Sequence, residues 1–489
     1  MEAAMSDAYC AALEHAYNVA MAFHQARASR PPAATASFET LRSALYTPTP
    51  ADGLPALEVV KQLAVGAEAG LMGMAGPRFF AKVMGGSHPV GVAADWMTSM
   101  WGQNSGSYHG SPANAVVEQI VEEWLLDLLA LPPECSIGLT TGATMASFVC
   151  LAAARSKVLQ QAGWNADANG LFGAPPINVC VGNDAHMAVF AALRYLGLGQ
   201  DRVTRIPTDD MGRMDVASLS TALEDCHGPL MVVAQAGQIN TGAFDAFDPI
   251  ADIVHRHGGW LHIDGAFGLW ARACPALIRF TAGVERADSW ATDGHKWLQT
   301  PYDCGYAIIK DAGAHRKAMA YEASYLPQAG GECREPFHYV PELSRRARGF
   351  ATWALIRTLG RSGIAAMIEQ HCRLARRMAE RLSAEAGVEI LNPVELNQFI
   401  VQFGAQESPE RRNQLTRATI ERIQDAGVCY VAEAMWRDRL VMRFSVISWA
   451  TTEEDIDRSA DSIITAWRQV RATFGSRSQG ACITKMVQI

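Results

Sequence analysis

The sequence predicts an α/β protein built on a mostly parallel sheet with helices on both faces, followed by a smaller α+β domain. Three observations carry this. Between residues 177 and 310, short β-rich runs alternate with helical stretches, the pattern of strands joined by crossover helices. After a long helical stretch at 349–387 the pattern changes to closely spaced strand-like runs and one closing helix. Finally, 489 residues with 49% hydrophobic and 19% charged side chains suffice for a large ordered core and two or three domains.

The elements follow in order. PPAATASF (31–38) and PTPADGLP (48–55) punctuate an N-terminal helical segment, taken as 1–75. VVEQIVEEWLLDLLALP (116–132) carries apolar residues at helical spacing and stops at a proline pair, and ATMASFVCLAAAR (143–155) reads as a helix starting after Gly142. Strands are expected at INVCVG (177–182), LMVVAQAG (230–237), WLHIDGAF (260–267), DSWATD (288–293) and GYAIIK (305–310), with helices at 187–197 and 248–258. The stretch 349–387 is one helix, or two broken near Gly360 to Gly363. Residues 76–374 would form the large domain. Residues 375–475 would form the small one, with strands at VEILN, NQFIVQF, GVCYVAE and RLVMRFSVIS, and 476–489 a flexible tail.

A net charge of −8 argues against a general nucleic-acid binder, and the basic run SRRAR (344–348) is too short to reverse that. Eleven cysteines include no CxxC pair, so no metal site is expected and reduced thiols in the cytoplasm are. The N-terminus has no secretory pattern, and the apolar segment LEVVKQLAVGAEAGLMGMAG is interrupted by Lys61 and Glu68, so no membrane span is expected.

In an open α/β sheet ligands bind outside the carboxyl ends of the strands, and unusual side chains collect there. Lys296, in GHKWL, follows the strand DSWATD closely. A lysine held at a cavity can form a Schiff base; otherwise it is an interfacial or salt-bridged lysine. A Schiff-base cofactor such as pyridoxal phosphate needs an anion at its ring nitrogen, a phosphate cradle and a stacking group besides the amine. Asp264 ends the apolar strand WLHID, with the small Gly265 and Ala266 behind it, and would serve a pyridinium or merely cap a turn. Thr140, Thr141, Gly142 and Thr144 stand at a helix start, where backbone N–H groups bind phosphate or a plain cap forms. His186 stands between a strand and a helix, able to stack on a ring or to close a turn.

The order of these pieces resembles the group II pyridoxal-phosphate-dependent amino-acid decarboxylases, which include the aromatic-amino-acid, histidine and glutamate decarboxylases. The resemblance runs from about residue 55 to 470. It rests on FFAKVMGGSHPVGVAADWM (79–97), SPANAVVEQIVEEWL (111–125), TTGATMASFVCLAAAR (140–155), NDAHMAVFAALR (183–194), AQAGQINTGAFD (234–245), HIDGAFG (262–268), GHKWL (294–298) and SRRARGFATWALIRTLG (344–360). It implies the fold-type I architecture, with a mostly parallel seven-stranded sheet, and pyridoxal 5'-phosphate as cofactor. Lys296 would form the Schiff base, Asp264 pair with the ring nitrogen, and His186 stack on the ring near the substrate carboxylate. Gly142, Ala143 and Thr144 would bind phosphate with His295 nearby, and Ala266 would pack on the other ring face. Gln238 or Asn240 would approach the ring oxygen or the substrate. The implied reaction is decarboxylation of an L-amino acid to the amine and CO2, in a homodimer with shared active sites and the N-terminal segment wrapping the partner.

The sequence also departs from the family. The tyrosine that usually protonates Cα falls on Pro336, beside Phe337, which leaves His338 and Tyr339 as candidate acids and keeps an aldehyde-forming or other lyase reaction open. The AGGEC tract (329–333) is expected in a mobile lid or a plain surface loop. GGSHP, with Gly85, and the GQINTG part of the 234–245 loop differ from the aromatic-amino-acid decarboxylases, so no aromatic substrate is assigned. Arg443 is a candidate for binding a substrate carboxylate, or pairs with Glu453 or Glu454.

Overall fold

The computed structural model describes residues 2–320 and 334–483. Its large sheet has seven strands: β1 (Ser136–Thr140), β2 (Asn178–Gly182), β3 (Thr204–Ile206), β4 (Leu230–Gln235), β5 (Trp260–Asp264), β6 (Ser289–Asp293) and β7 (Gly305–Ile309). They lie in the order β1-β7-β6-β5-β4-β2-β3. The pairs among β3, β2, β4, β5 and β6 are parallel, and β7 runs antiparallel to both β6 and β1. The five expected strands are present. β1 and β3 were not anticipated: β1 holds only two large apolar residues, and β3 is a three-residue edge strand.

The strands are apolar nearly throughout because both faces are covered. In β4, Leu230, Val232 and Ala234 join one buried cluster while Met231 and Val233 join the other, the side-to-side alternation of an extended chain. The helices Ala143–Gln161 and Met187–Tyr195 cover one face; Pro112–Leu128 and Phe247–Arg256 help cover the other.

The long helix Gly349–Ser383 is interrupted at Gly360, whose backbone (φ 60°, ψ 178°) is not helical. Beyond it, Ile364, Ile368 and Cys372 pack into the large-sheet core, and Leu374, Ala375, Met378 and Leu382 pack into a second core. The boundary expected at 374/375 therefore falls inside one helix that serves both cores. The second core lies on a four-stranded antiparallel sheet, β8 (Val388–Ile390), β9 (Gln398–Phe403), β10 (Ala432–Trp436) and β11 (Arg439–Ser445), ordered β10-β11-β9-β8. β10 begins five residues later than GVCYVAE suggested. Gly427, at φ 66°, ends the helix Pro409–Ala426, and Tyr430 bonds instead to the backbone of Arg78 and Phe80. The closing helix, Glu453–Ile483, carries the chain into the expected tail. AGGEC and residues 484–489 lie outside the described residues.

The basic run is consumed internally. Arg345 forms a buried pair with Glu118 at 2.8 Å, Arg346 bonds Asp95 at 2.7 Å and Arg348 bonds Asp303 at 2.9 Å. Among the described residues no helix is long and apolar enough to cross a membrane.

Three buried histidines make the fold acid-sensitive. Burial pulls His262 down to about 3 and His315 and His371 to about 4. Below their ordinary value the unfolded chain takes up protons that the folded chain refuses, so stability falls as pH falls. The window runs from about pH 6.5 towards about pH 4, and each ring costs roughly 1–2 kcal/mol by about pH 5. Thermal melting followed across that window is expected to drop steeply; a melting temperature that holds constant contradicts these neutral rings.

Candidate active site

The carboxyl ends of the strands bring the expected residues to one cleft of about 360 Å³. Thr141, Gly142, Ala143, Thr144, His186, Asp264, Ala266, His295 and Lys296 line it, together with Asp293 and Tyr302. Each is delivered by strand geometry. β1 ends at Thr140, and the chain turns through Gly142 into the helix Ala143–Gln161, placing its first-turn N–H groups at the cleft, that of Ala143 bonded to Asp293 Oδ1. The turn is tight: a Cβ on Gly142 would stand 3.1 Å from His295 Cε1 and 3.3 Å from Asp293 Oδ1, and one on Gly305 would stand 2.5 Å from Gly142 Cα.

Asp264 ends β5 and is buried. One carboxylate oxygen accepts the Ala266 N–H at 3.2 Å, and no basic side chain among the described residues forms an ion pair with it. His186 caps the helix Met187–Tyr195, its Nδ1 accepting the Ala188 N–H at 3.3 Å, so the neutral ring carries its proton on Nε2. Burial lowers its pKa, Asp264 opposes the shift, and the cations Lys296 and Arg443 reinforce it. Burial likewise lowers that of His295, whose Nδ1 accepts the Cys304 N–H and whose ring lies 4.4 Å from that of Tyr302.

Lys296 Nζ lies 3.0 Å from Asp293 Oδ2. The loop behind it is held rigidly. Gln299 is fully buried: its amide nitrogen donates to the backbone oxygens of Lys296, Trp297 and Ile447, and its oxygen accepts from Gly86. Trp297 donates to His371, which donates in turn to the Ser448 carbonyl. The lysine is thus braced from the small domain. Gly85 belongs to the same support. Its N–H donates to the His295 carbonyl at 3.0 Å, and a Cβ would stand 2.6 Å from that oxygen, so it acts here by close backbone approach.

Arg443, on β11, projects no ion pair to Glu453, which instead neighbours Arg373 and Arg377. Its Nε is buried without a hydrogen-bond partner, and burial pulls its pKa below the ordinary value. Asp293 and Tyr302 were not singled out in the sequence. For Asp293 the signal was available: like Asp264, it ends a buried strand.

Other expected residues lie outside the cleft of this chain. Gln238 is spent inside its own loop, its side-chain oxygen accepting from Asn240 N and Thr241 N and its nitrogen donating to the Asp184 carbonyl. Asn240 is buried beside it with its Oδ1 unpartnered, and neither residue lines the cleft. His338 and Tyr339 sit in a short helical turn packed on β1, where His315 donates to the Tyr339 carbonyl. They are outside the cleft of their own chain. Burial pulls His338 down to about 4, with Arg316 reinforcing the shift.

The residues present fit pyridoxal phosphate. A buried carboxylate without a basic partner suits a ring cation, a helix N-terminus flanked by Thr141 and Thr144 suits a phosphate, and an amine stands in the same cleft. Fold and cleft together define the class of fold-type I pyridoxal-phosphate enzymes. The model of the pyridoxal-dependent decarboxylase conserved domain matches residues 42–405. The chain is 25% identical over 437 residues to an aromatic-L-amino-acid decarboxylase of Bacillus atrophaeus, covering 88% of this chain and 89% of that one. It is 29% identical over 387 residues to the corresponding Rattus norvegicus enzyme, covering 76% and 79%. In fold it matches the Oryza sativa TDC solved with PLP and tryptamine (TM-score 0.88, 24% identity, 95% and 98% covered). The chain belongs to the pyridoxal-dependent decarboxylase family and is a pyridoxal-phosphate-dependent carboxy-lyase.

Proposed function

We propose that this chain removes the α-carboxylate of an L-amino acid, releasing CO2 and the amine, with Lys296 as the residue that holds the cofactor covalently. The observation that carries this is the convergence of Lys296, Asp264 and His186 on one cleft behind a helix N-terminus. When bound, pyridoxal phosphate supplies a carbonyl that takes up amines and a ring cation that accepts the electron pair left by the departing carboxylate.

The chain's own groups do the rest. Asp264 keeps the ring nitrogen charged. Gly142, Ala143 and Thr144 anchor the phosphate with His295 alongside. His186, solvent-exposed on the cleft lining and with its pKa lowered, packs on the ring and presents its Nε2 proton towards the substrate carboxylate. Ala266 lines the same cleft and would pack on the other ring face. Arg443, half-buried and outside the cleft lining but in electrostatic reach of His186, would meet the substrate carboxylate while its scission is oriented, which accounts for its unpartnered Nε. Arg443→Gln is expected to raise KM by about 10- to 100-fold, the worth of a hydrogen bond to a charged group, and to change kcat less. An unchanged KM removes Arg443 from this role.

Exposed apolar side chains on the N-terminal segment, among them Leu63 and Val65, support a homodimer whose second copy covers them; a monomer in sedimentation contradicts it. Nine cysteines, from Cys10 to Cys429, are free thiols, which supports a cytoplasmic setting.

Aldehyde formation is the second reading. It is favoured by Pro336 and Phe337, both buried where a phenol is usual for the family, and by similarity to a 4-hydroxyphenylacetaldehyde synthase of Rhodiola rosea (26% identity, 83% of each chain). Incubation with a panel of L-amino acids, reading CO2, amine, ammonia, peroxide and aldehyde, separates the two. Amine with stoichiometric CO2 supports decarboxylation. Aldehyde with ammonia and peroxide supports the second reading, and no CO2 from any amino acid contradicts both.

A further inference from the structure

The phosphate cradle of this chain already contains an anion of its own. Asp293 Oδ1 accepts the N–H of Ala143, the first residue of the helix Ala143–Gln161, at 2.6 Å. The other oxygen is 3.0 Å from Lys296 Nζ. Asp293 is buried, and its position is fixed from behind by Trp270, whose indole N–H donates to the Asp293 carbonyl at 2.9 Å. A carboxylate there satisfies a helix N-terminus as a phosphate oxygen would.

We propose that the Asp293 carboxylate holds the phosphate's place in the resting chain, and that phosphate binding is coupled to uptake of a proton at Asp293. The inference rests on the Ala143 end of the helix being the phosphate cradle. Two anions would then share one buried helix end, and removal of one charge relieves their repulsion. The groups facing Asp293 leave little other relief. Lys296 is the nearby cation, and at 3.0 Å it is already spent on neutralising Asp293, so it does not also neutralise an incoming phosphate. His295 Nε2 lies 3.6 Å away on a ring that burial keeps neutral. His186, also lowered by burial, is in electrostatic reach. The phenols of Tyr302 and Tyr306 face Asp293 uncharged, Tyr302 pushed up to about 12 and Tyr306 also raised, both chiefly by burial. Because the bound state holds the extra proton, affinity falls as pH rises.

The test uses the full chain freed of cofactor and pyridoxine 5'-phosphate, which carries ring and phosphate but no carbonyl to engage Lys296. Affinity and proton uptake are measured between about pH 6 and about pH 8 by calorimetry in buffers of different ionisation enthalpy. Wild type should take up close to one proton more than Asp293→Asn. The variant should bind about tenfold tighter or more at the alkaline end, the gap closing towards acid. Asp293→Ser, also neutral, should behave like Asp293→Asn and serves if that variant fails to fold. Phosphate-dependent binding with affinity and uptake unaltered by either substitution overturns this inference alone. If unphosphorylated pyridoxine binds every form as tightly as its phosphate, the cradle assignment falls and takes the inference with it.

Discussion

Replacement of Lys296 by alanine should lower turnover by about four orders of magnitude or more, the scale seen when a covalent catalytic group is removed. The size follows from what the amine does. In the proposed reaction it would supply the covalent attachment, and in the cleft it is the cation that neutralises Asp293 at 3.0 Å. The fold should survive, because the loop is held by Gln299 and Trp297 and not by the lysine side chain. Lys296→Ala should therefore still fold, melting somewhat below wild type because the buried Asp293 carboxylate loses its cation, while losing activity and the absorbance of a covalently held cofactor. A variant retaining a tenth of wild-type turnover would remove Lys296 from the chemistry.

Replacement of Asp264 by asparagine should reduce kcat by roughly a thousandfold. A carboxylate about 3 Å from a ring cation gains roughly 5 kcal/mol at an effective dielectric near 20. If about 4 kcal/mol survives desolvation, the loss corresponds to roughly three powers of ten. Asparagine is a discriminating choice. Its side-chain oxygen can still accept the Ala266 N–H, so the turn after β5 is kept and only the charge is lost. The effect should fall on kcat more than on cofactor affinity, which the phosphate cradle largely determines. Kinetics at saturating cofactor check this; a variant within tenfold of wild type shows that the ring nitrogen does not depend on this carboxylate.

Much of this site was legible because strand ends are conspicuous. An aspartate closing WLHID, a histidine after INVCVG and a lysine after DSWATD are polar groups where an apolar strand stops, and a buried parallel sheet gathers such ends along one edge. The same logic applies to Asp293, which ends a buried strand three residues before the lysine. Other features were not readable. Gln238 and Asn240 lie in the right loop, but whether a side chain faces a ligand or bonds its own backbone depends on the loop's turn, which periodicity does not encode. β1 and β3 escaped because two large apolar residues, or three residues in all, give no periodic signal. The position of His338 and Tyr339 against β1 depends on long-range packing, with a Cβ on Gly138 standing 3.1 Å from Val340 Cγ1 and the Tyr339 carbonyl closer still.

The central claim is that the Lys296 amine holds the cofactor in a cleft whose ring charge is balanced by Asp264. Its most direct test is borohydride reduction of the cofactor-loaded chain followed by peptide mass mapping. The account predicts one reduced pyridoxyl adduct per chain, on the peptide containing GHKWL and at Lys296. A protein that takes up no cofactor, or an adduct that maps to any other lysine, would contradict it.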